Sequence, residues 1–132
     1  VDGIAYIDAS ALVKLIVPEP ESAALVEAIE SEWPYVLASE ILPVECHRAA
    51  LRVGGSAPEL AAKRLEGVAL VELTPDIRKR AQRQGPSELR ALDAIHLATA
   101  TSVAAQIGVV LTYDVRLAAA ARAQGLVVEA PR

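Results

Sequence analysis

The chain has 132 residues and a mass of 13.9 kDa, enough for one domain spanning residues 1–132 that buries roughly two thirds of its unfolded surface without disulfides or a structural metal. Apolar residues at 53% and charged residues at 23% exclude a disordered chain. The absence of any apolar run near 18 residues and of a secretory signal predicts no membrane association. A net charge of −4 argues against holding duplex DNA by bulk electrostatics, and the lone Cys46 excludes a disulfide framework or a cysteine-rich zinc site and fits a reducing, cytoplasmic setting.

Taken in order, Ile4 to Ile7 is a short apolar run that reads as a buried strand ending at Asp8. Ser10 is positioned to cap a helix running toward Val17, which Pro18 and Pro20 stop. A helix over Ser22 to Glu32 follows, then a short strand over Tyr35 to Ala38. A helix from Ser39 to Arg52 closes at Gly54-Gly55, and another covers Pro58 to Leu65. Val68 to Leu73 reads as a strand and Asp76 to Gln84 as a helix. The Ala- and Leu-rich stretch from Ser87 to Gln106 reads as the longest helix. Val109 to Thr112 is a strand ending at Tyr113-Asp114, residues 116–124 are helical, and Leu126 to Val128 is a last strand. Short apolar strands alternating with helices predict an α/β domain with a mostly parallel sheet.

Charge is divided unevenly. Residues 1–45 hold nine acids and one base, while the remainder holds eight acids and twelve bases, among them the run Arg78, Lys79, Arg80, Arg83. A solvated helix face is the plain explanation of that run.

Asp8 and Asp114 both follow strands, where a parallel sheet places ligands beyond its carboxyl edge; each also precedes a helix and suits an N-cap. Glu45 and Asp93 lie inside helical stretches. Asp93 sits near an apolar side, where an unpaired charge is expensive, so it is either one of a carboxylate cluster or half of a buried pair with Arg48, Arg52 or Arg90. Converging carboxylates repel, and a divalent cation offsets that repulsion; an oxygen-only donor set suits Mg²⁺ or Mn²⁺ rather than zinc. Ser10 and Thr112 are each two residues from one of these acids and suit orienting roles, beside the plainer ones of helix cap and strand edge. Cys46 reads as a small buried hydrophobe and His47 as a surface residue. His96, one turn after Asp93, suits a hydrogen bond in the core or a part in shaping the site. Gly54-Gly55 lacks the Lys-Ser/Thr ending of a phosphate loop, and Trp33, Tyr6, Tyr35 and Tyr113 are too few for a base-stacking platform.

Four segments in register carry a resemblance. Tyr6-Ile7-Asp8-Ala9-Ser10-Ala11-Leu12-Val13-Lys14 resembles the opening motif of PIN-domain ribonucleases, especially the VapC toxins of bacterial toxin–antitoxin pairs. Ser39 to Arg48 resembles the second motif with Glu45 at its acidic position, Leu92 to Ala100 the third with Asp93, and Leu111 to Ala118 the fourth with Asp114. The resemblance implies a five-stranded parallel sheet flanked by helices and Mg²⁺- or Mn²⁺-dependent endonucleolytic cutting of RNA to 5′-phosphate and 3′-hydroxyl ends. It also implies a homodimer and a small antitoxin that covers the site. It assigns Asp8, Glu45, Asp93 and Asp114 to the acidic cluster, with Ser10 and Thr112 beside it. Some members carry a further acid after the fourth; here that stretch reads Val115-Arg116, which leaves one or two metal ions open. Two alternatives are weighed: a PIN-like domain kept only for protein binding, against which four intact acids argue, and another metal-dependent phosphoryl-transfer α/β enzyme. A haloacid-type phosphatase wants a second Asp two residues after the first, where this chain has Ser10.

Overall fold

In a computed structural model, residues 3–132 are described. Five strands, β1 (Ile4–Ile7), β2 (Tyr35–Ser39), β3 (Val68–Val71), β4 (Val109–Leu111) and β5 (Val128–Glu129), form one sheet in the order β3-β2-β1-β4-β5. Every pairing in it is parallel. Seven helices fill the connections among the described residues: α1 (Ala9–Val13), α2 (Ser22–Ser31), α3 (Leu42–Val53), α4 (Ala57–Leu65), α5 (Pro75–Ala81), α6 (Ala91–Ser102) and α7 (Val115–Ala123). This is the predicted α/β architecture.

Side-chain alternation along the strands separates two layers. Ala5 and Ile7 of β1, with Val36, Ala38, Val109 and Leu111, pack against Leu12, Leu25, Leu42, Cys46 and Ala61 from α1 to α4. Tyr6 and Val110 point to the opposite face and meet Ala100 of α6, while Leu97 of α6 packs with Leu117 and Ala121 of α7. The chain has no Phe and no Met, and its core is filled by Ala, Leu, Ile and Val. Removing a fully buried leucine such as Leu12 or Leu97 would cost about 2–5 kcal/mol.

Several boundaries differ from expectation for local reasons. Asp8, not Ser10, caps α1, accepting from the Ala11 N–H, because it is the first residue after the strand. The α-helix ends at Val13, and the chain reaches Pro18 through i→i−3 turns. Ser39 closes β2 instead of opening α3, and its hydroxyl accepts from the Ile41 N–H. Ser87 caps nothing: a turn from Pro86 to Leu89 intervenes, and α6 starts at Ala91. Beyond Gly125, which has φ +84, Leu126 packs under α7 and the last strand starts at Val128.

The strand order sets the site. From β1 the chain winds outward through β2 and β3, then returns to place β4 on the other side of β1. The crevice between β1 and β4 is the topological switch point, where open parallel sheets hold their ligands.

Candidate active site

The register across the switch point pairs Ile7 with Leu111, so the next residues, Asp8 and Thr112, face each other just beyond the sheet. Thr112 Oγ1 donates to Asp8 Oδ2 at 2.8 Å. The Ser10 hydroxyl lies 2.8 and 3.0 Å from the two Asp8 oxygens, 3.2 Å from Thr112 Oγ1, and accepts from the Tyr113 N–H at 2.9 Å. Thr112 Oγ1 also accepts from the Asp114 N–H. Asp8 is therefore a buried carboxylate with both oxygens partnered by groups more than a hundred residues apart in sequence and by its own helix. Burial pushes its pKa up, and the Ser10 and Thr112 hydroxyls pull against that rise.

A cleft of about 340 Å³ opens above this junction, lined by Asp8, Ser10, Glu45, Asp93, His96 and Asp114, with Arg90 and Leu92 at its rim. All four acids thus line one concavity. Each lies at the start of a helix: Asp8 and Asp114 as N-caps, Glu45 and Asp93 in first turns. Unpaired N–H groups at helix starts favour negative charge, which helps the fold hold four carboxylates together. Asp114 Oδ1 accepts from the N–H groups of Arg116 and Leu117.

Asp93 is less enclosed. Burial raises its pKa first, and the charges of Asp114 and Glu45 raise it further, against partial relief from His96 and Arg90. Arg90 stands 4.0 Å from Asp93 with its side chain 77% exposed, so this is a loose surface pair. Arg48 and Arg52 are exposed on α3, and neither is paired with Asp93 among the described residues. The buried ion pair considered for Asp93 is absent there. Arg78, Lys79, Arg80 and Arg83 are exposed outside the cleft, as the plain explanation has it. Cys46 is buried in the main core.

His96 makes the core hydrogen bond and lines the cleft, both of which its position one turn after Asp93 suggests, whereas the part played by Tyr6 is not among the sequence expectations. His96 is 1% exposed and Tyr6 0%, and both belong to the site's foundation. Tyr6 Oη lies 2.7 Å from His96 Nδ1, and His96 Nε2 lies 2.6 Å from Glu45 Oε1. A tyrosine in the middle of a buried strand must find a partner for its hydroxyl, and His96 shares a helix face with Asp93 three residues earlier.

Among the described residues no three His, Cys, Asp or Glu side chains form a ready-made metal cage. The donors fit a hard cation that keeps much of its water and takes one or two carboxylates, the usual habit of Mg²⁺. At Asp93 the charges of Asp114 and Glu45 add to the rise that burial causes, a carboxylate repulsion that such an ion would offset. Near Tyr113 the chain is further tied down: Lys14 Nζ sits 4.7 Å from the ring centroid and the Tyr113 hydroxyl donates to the Pro131 carbonyl at 2.7 Å.

A wholly parallel sheet with an acid-lined cleft at its switch point is the architecture expected from the four motifs, and the PIN domain family model matches residues 5–123: the chain belongs to the PIN domain family. It is similar to the ribonuclease VapC46 of Mycobacterium tuberculosis, with 40% identity over 126 residues and 96% of each chain covered. It is also similar to the ribonuclease VapC47 of the same species, with 35% identity over 130 residues and 96% coverage of each. Among solved structures, M. tuberculosis VapC20, a sarcin–ricin-loop-cleaving toxin, superposes with a TM-score of 0.75 at 22% identity, covering 96% of this chain and 99% of that one. VapBC-1 from nontypeable Haemophilus influenzae gives 0.66 at 16% identity, covering 96% and 97%. No helix among the described residues is long and apolar enough to cross a membrane.

Proposed function

We propose that the protein is a VapC-type toxin, a metal-dependent endoribonuclease that hydrolyses RNA phosphodiester bonds through Asp8, Glu45, Asp93 and Asp114. The observation that carries this reading is the meeting of those four carboxylates in one cleft at the β1–β4 switch point. Curated relatives at 35–40% identity bear the name ribonuclease, which supports RNA as the substrate.

Asp8 and Asp93 are the residues to hold a divalent cation, Mg²⁺ or Mn²⁺. When bound, the ion supplies Lewis acidity toward a phosphodiester and lowers the pKa of attacking water. The chain's own groups do the rest. Ser10, Thr112 and the Ala11 N–H fix Asp8 before substrate arrives. Asp114, with Oδ1 occupied as a cap, has Oδ2 to accept from water, and Glu45 accepts a proton or adds a ligand oxygen. Arg90, exposed at the rim, is placed to meet a backbone phosphate, with Arg48, Arg52 and the 78–83 run as more distant steering charges.

Solved structures of similar fold include toxin–antitoxin complexes, which supports a small antitoxin as partner, one that covers the acidic cleft with a basic side chain. A homodimer and a cytoplasmic setting complete the reading. The test is direct: purified, partner-free protein cuts structured RNA with Mg²⁺ or Mn²⁺, stops in EDTA, and loses activity in Asp8→Asn. Undiminished cutting by metal-stripped protein in EDTA would refute the metal mechanism.

A further inference from the structure

The four carboxylates are not held alike. Asp8 is clamped by two hydroxyls and an N–H, and Asp114 by two backbone N–H groups of its own helix. Glu45 has a longer side chain with more rotatable bonds, and its one hydrogen-bond partner among the described residues is His96. That contact, at 2.6 Å, requires a proton between the two atoms, and with Glu45 as a carboxylate the donor is Nε2–H of His96.

The ring is fixed from behind. The Tyr6 side chain is fully buried, and the partner of its hydroxyl is Nδ1 of His96 at 2.7 Å. Donation from Tyr6 to Nδ1 leaves the neutral ring's proton on Nε2, toward Glu45; a doubly protonated ring would also carry one there. The two rings meet edge to face, with centroids 5.9 Å apart at 73°. Neither side chain can swing away, since both are enclosed by the sheet and α6, whereas Glu45 reaches solvent with its side chain 17% exposed.

We propose that Tyr6 and His96 are positioning residues: a buried strut, running from the centre of β1 through α6, that commits one oxygen of Glu45 to the core and presents the other to the cleft. This rests on the metal-dependent reading above. It gives the strut a part in the reaction although neither residue need touch cation or RNA. Hydrogen-bond partners behind a metal-binding group commonly change metal affinity by about 10–100-fold when removed.

The experiment is a double-mutant cycle read by Mn²⁺ affinity, from the electron paramagnetic resonance signal of free Mn²⁺ added to metal-stripped full-length protein. The variants are His96→Asn, His96→Gln, Glu45→Gln and the His96→Asn/Glu45→Gln double. Urea midpoints in EDTA are measured in parallel. Asn retains a polar atom near Nδ1, facing Tyr6, but not near Nε2; Gln reaches toward the Nε2 position. His96→Asn is expected to weaken Mn²⁺ binding by about tenfold or more. His96→Gln should recover part of that loss, and His96→Asn should add nothing in the Glu45→Gln background. With Mn²⁺ saturating, the defect in RNA cleavage should fall on kcat and leave KM near wild type.

An unchanged effect of His96→Asn in the Glu45→Gln background would overturn the strut, since the histidine would then act by general packing. Unaltered Mn²⁺ affinity in His96→Asn would overturn it too, while leaving the metal reading intact. Wild-type protein that binds no Mn²⁺ would overturn the metal reading, and the strut with it. Should a His96 variant lose its cooperative urea transition, Tyr6→Phe enters the cycle in its place. That change keeps the ring and removes only the hydroxyl, and the same loss of affinity, absent in the Glu45→Gln background, is expected of it.

Discussion

The two walls of the cleft carry the same chemical group under opposite conditions. On the sheet side, Asp8 is 2% exposed and held by donors from Ser10, Ala11 and Thr112. On the helix side, Asp93 is part-exposed, faces the negative field of Asp114, and has only a loose contact with Arg90. Burial raises the pKa of both, but hydrogen bonds oppose the rise at Asp8 while a neighbouring carboxylate adds to it at Asp93. One acid is thus part of the fold's wiring; the other is a charge the fold merely tolerates. Substitution at the two positions should therefore affect function alike and stability differently.

The largest effect is expected at Asp8. Asp8→Asn turns an oxygen facing hydroxyls and an N–H into an amide donor. RNA cleavage should fall by orders of magnitude, and stability in EDTA should drop by about 1–3 kcal/mol as buried groups lose their acceptor. Urea unfolding and an RNA cleavage assay measure the two; an unchanged urea midpoint would show that the Asp8 network contributes nothing to folding.

Asp93→Asn should match Asp8→Asn in activity and diverge from it in stability. It removes one charge from a repelling group at nearly constant volume. Without metal the variant should equal or exceed wild type, by no more than about 1 kcal/mol, because partly solvated charges are screened. It should also gain less from added Mg²⁺ than wild type does. A loss of about 3–5 kcal/mol in EDTA would instead indicate a broken buried ion pair and would break the contrast between the walls.

The smallest effect is in pH dependence. A carboxyl whose pKa is raised on folding binds its proton more tightly in the native state. As pH rises from the ordinary aspartate range through the folded value, the unfolded chain gives up its proton first, so native stability falls across that window and then levels off. Metal-free wild type should show this decline from Asp8 and Asp93 together. Asp93→Asn should make it shallower, as read from urea midpoints at a series of mildly acidic pH values, and an equal slope in both would remove Asp93 from the account.

Much of this arrangement was legible in the sequence because strands this short and apolar end abruptly at acids. The runs Ile4 to Ile7 and Val109 to Thr112, read from sequence alone, place Asp8 and Asp114 at the carboxyl edge, and the strands observed there are Ile4–Ile7 and Val109–Leu111. Helix starts were harder. Ser10, Ser39 and Ser87 all look like caps, yet the first serves Asp8, the second ends a strand and the third lies in a turn. Local composition does not reveal that tertiary partners have already claimed a hydroxyl. The Tyr6–His96 contact spans 90 residues and depends on which face of β1 meets α6, a matter of strand order rather than sequence pattern.

The pairing of β1 with β4 also imposes a schedule. During synthesis Asp8 and Glu45 leave the ribosome first, and the strand that completes the cleft, residues 109–111, follows more than sixty residues after Glu45. At about 5–20 residues per second, the nascent chain spends seconds carrying half of its acidic cluster with no partner wall to complete it. Under the proposed activity, the cleft therefore gains its second wall only when β4 pairs with β1, well after its first two acids are made.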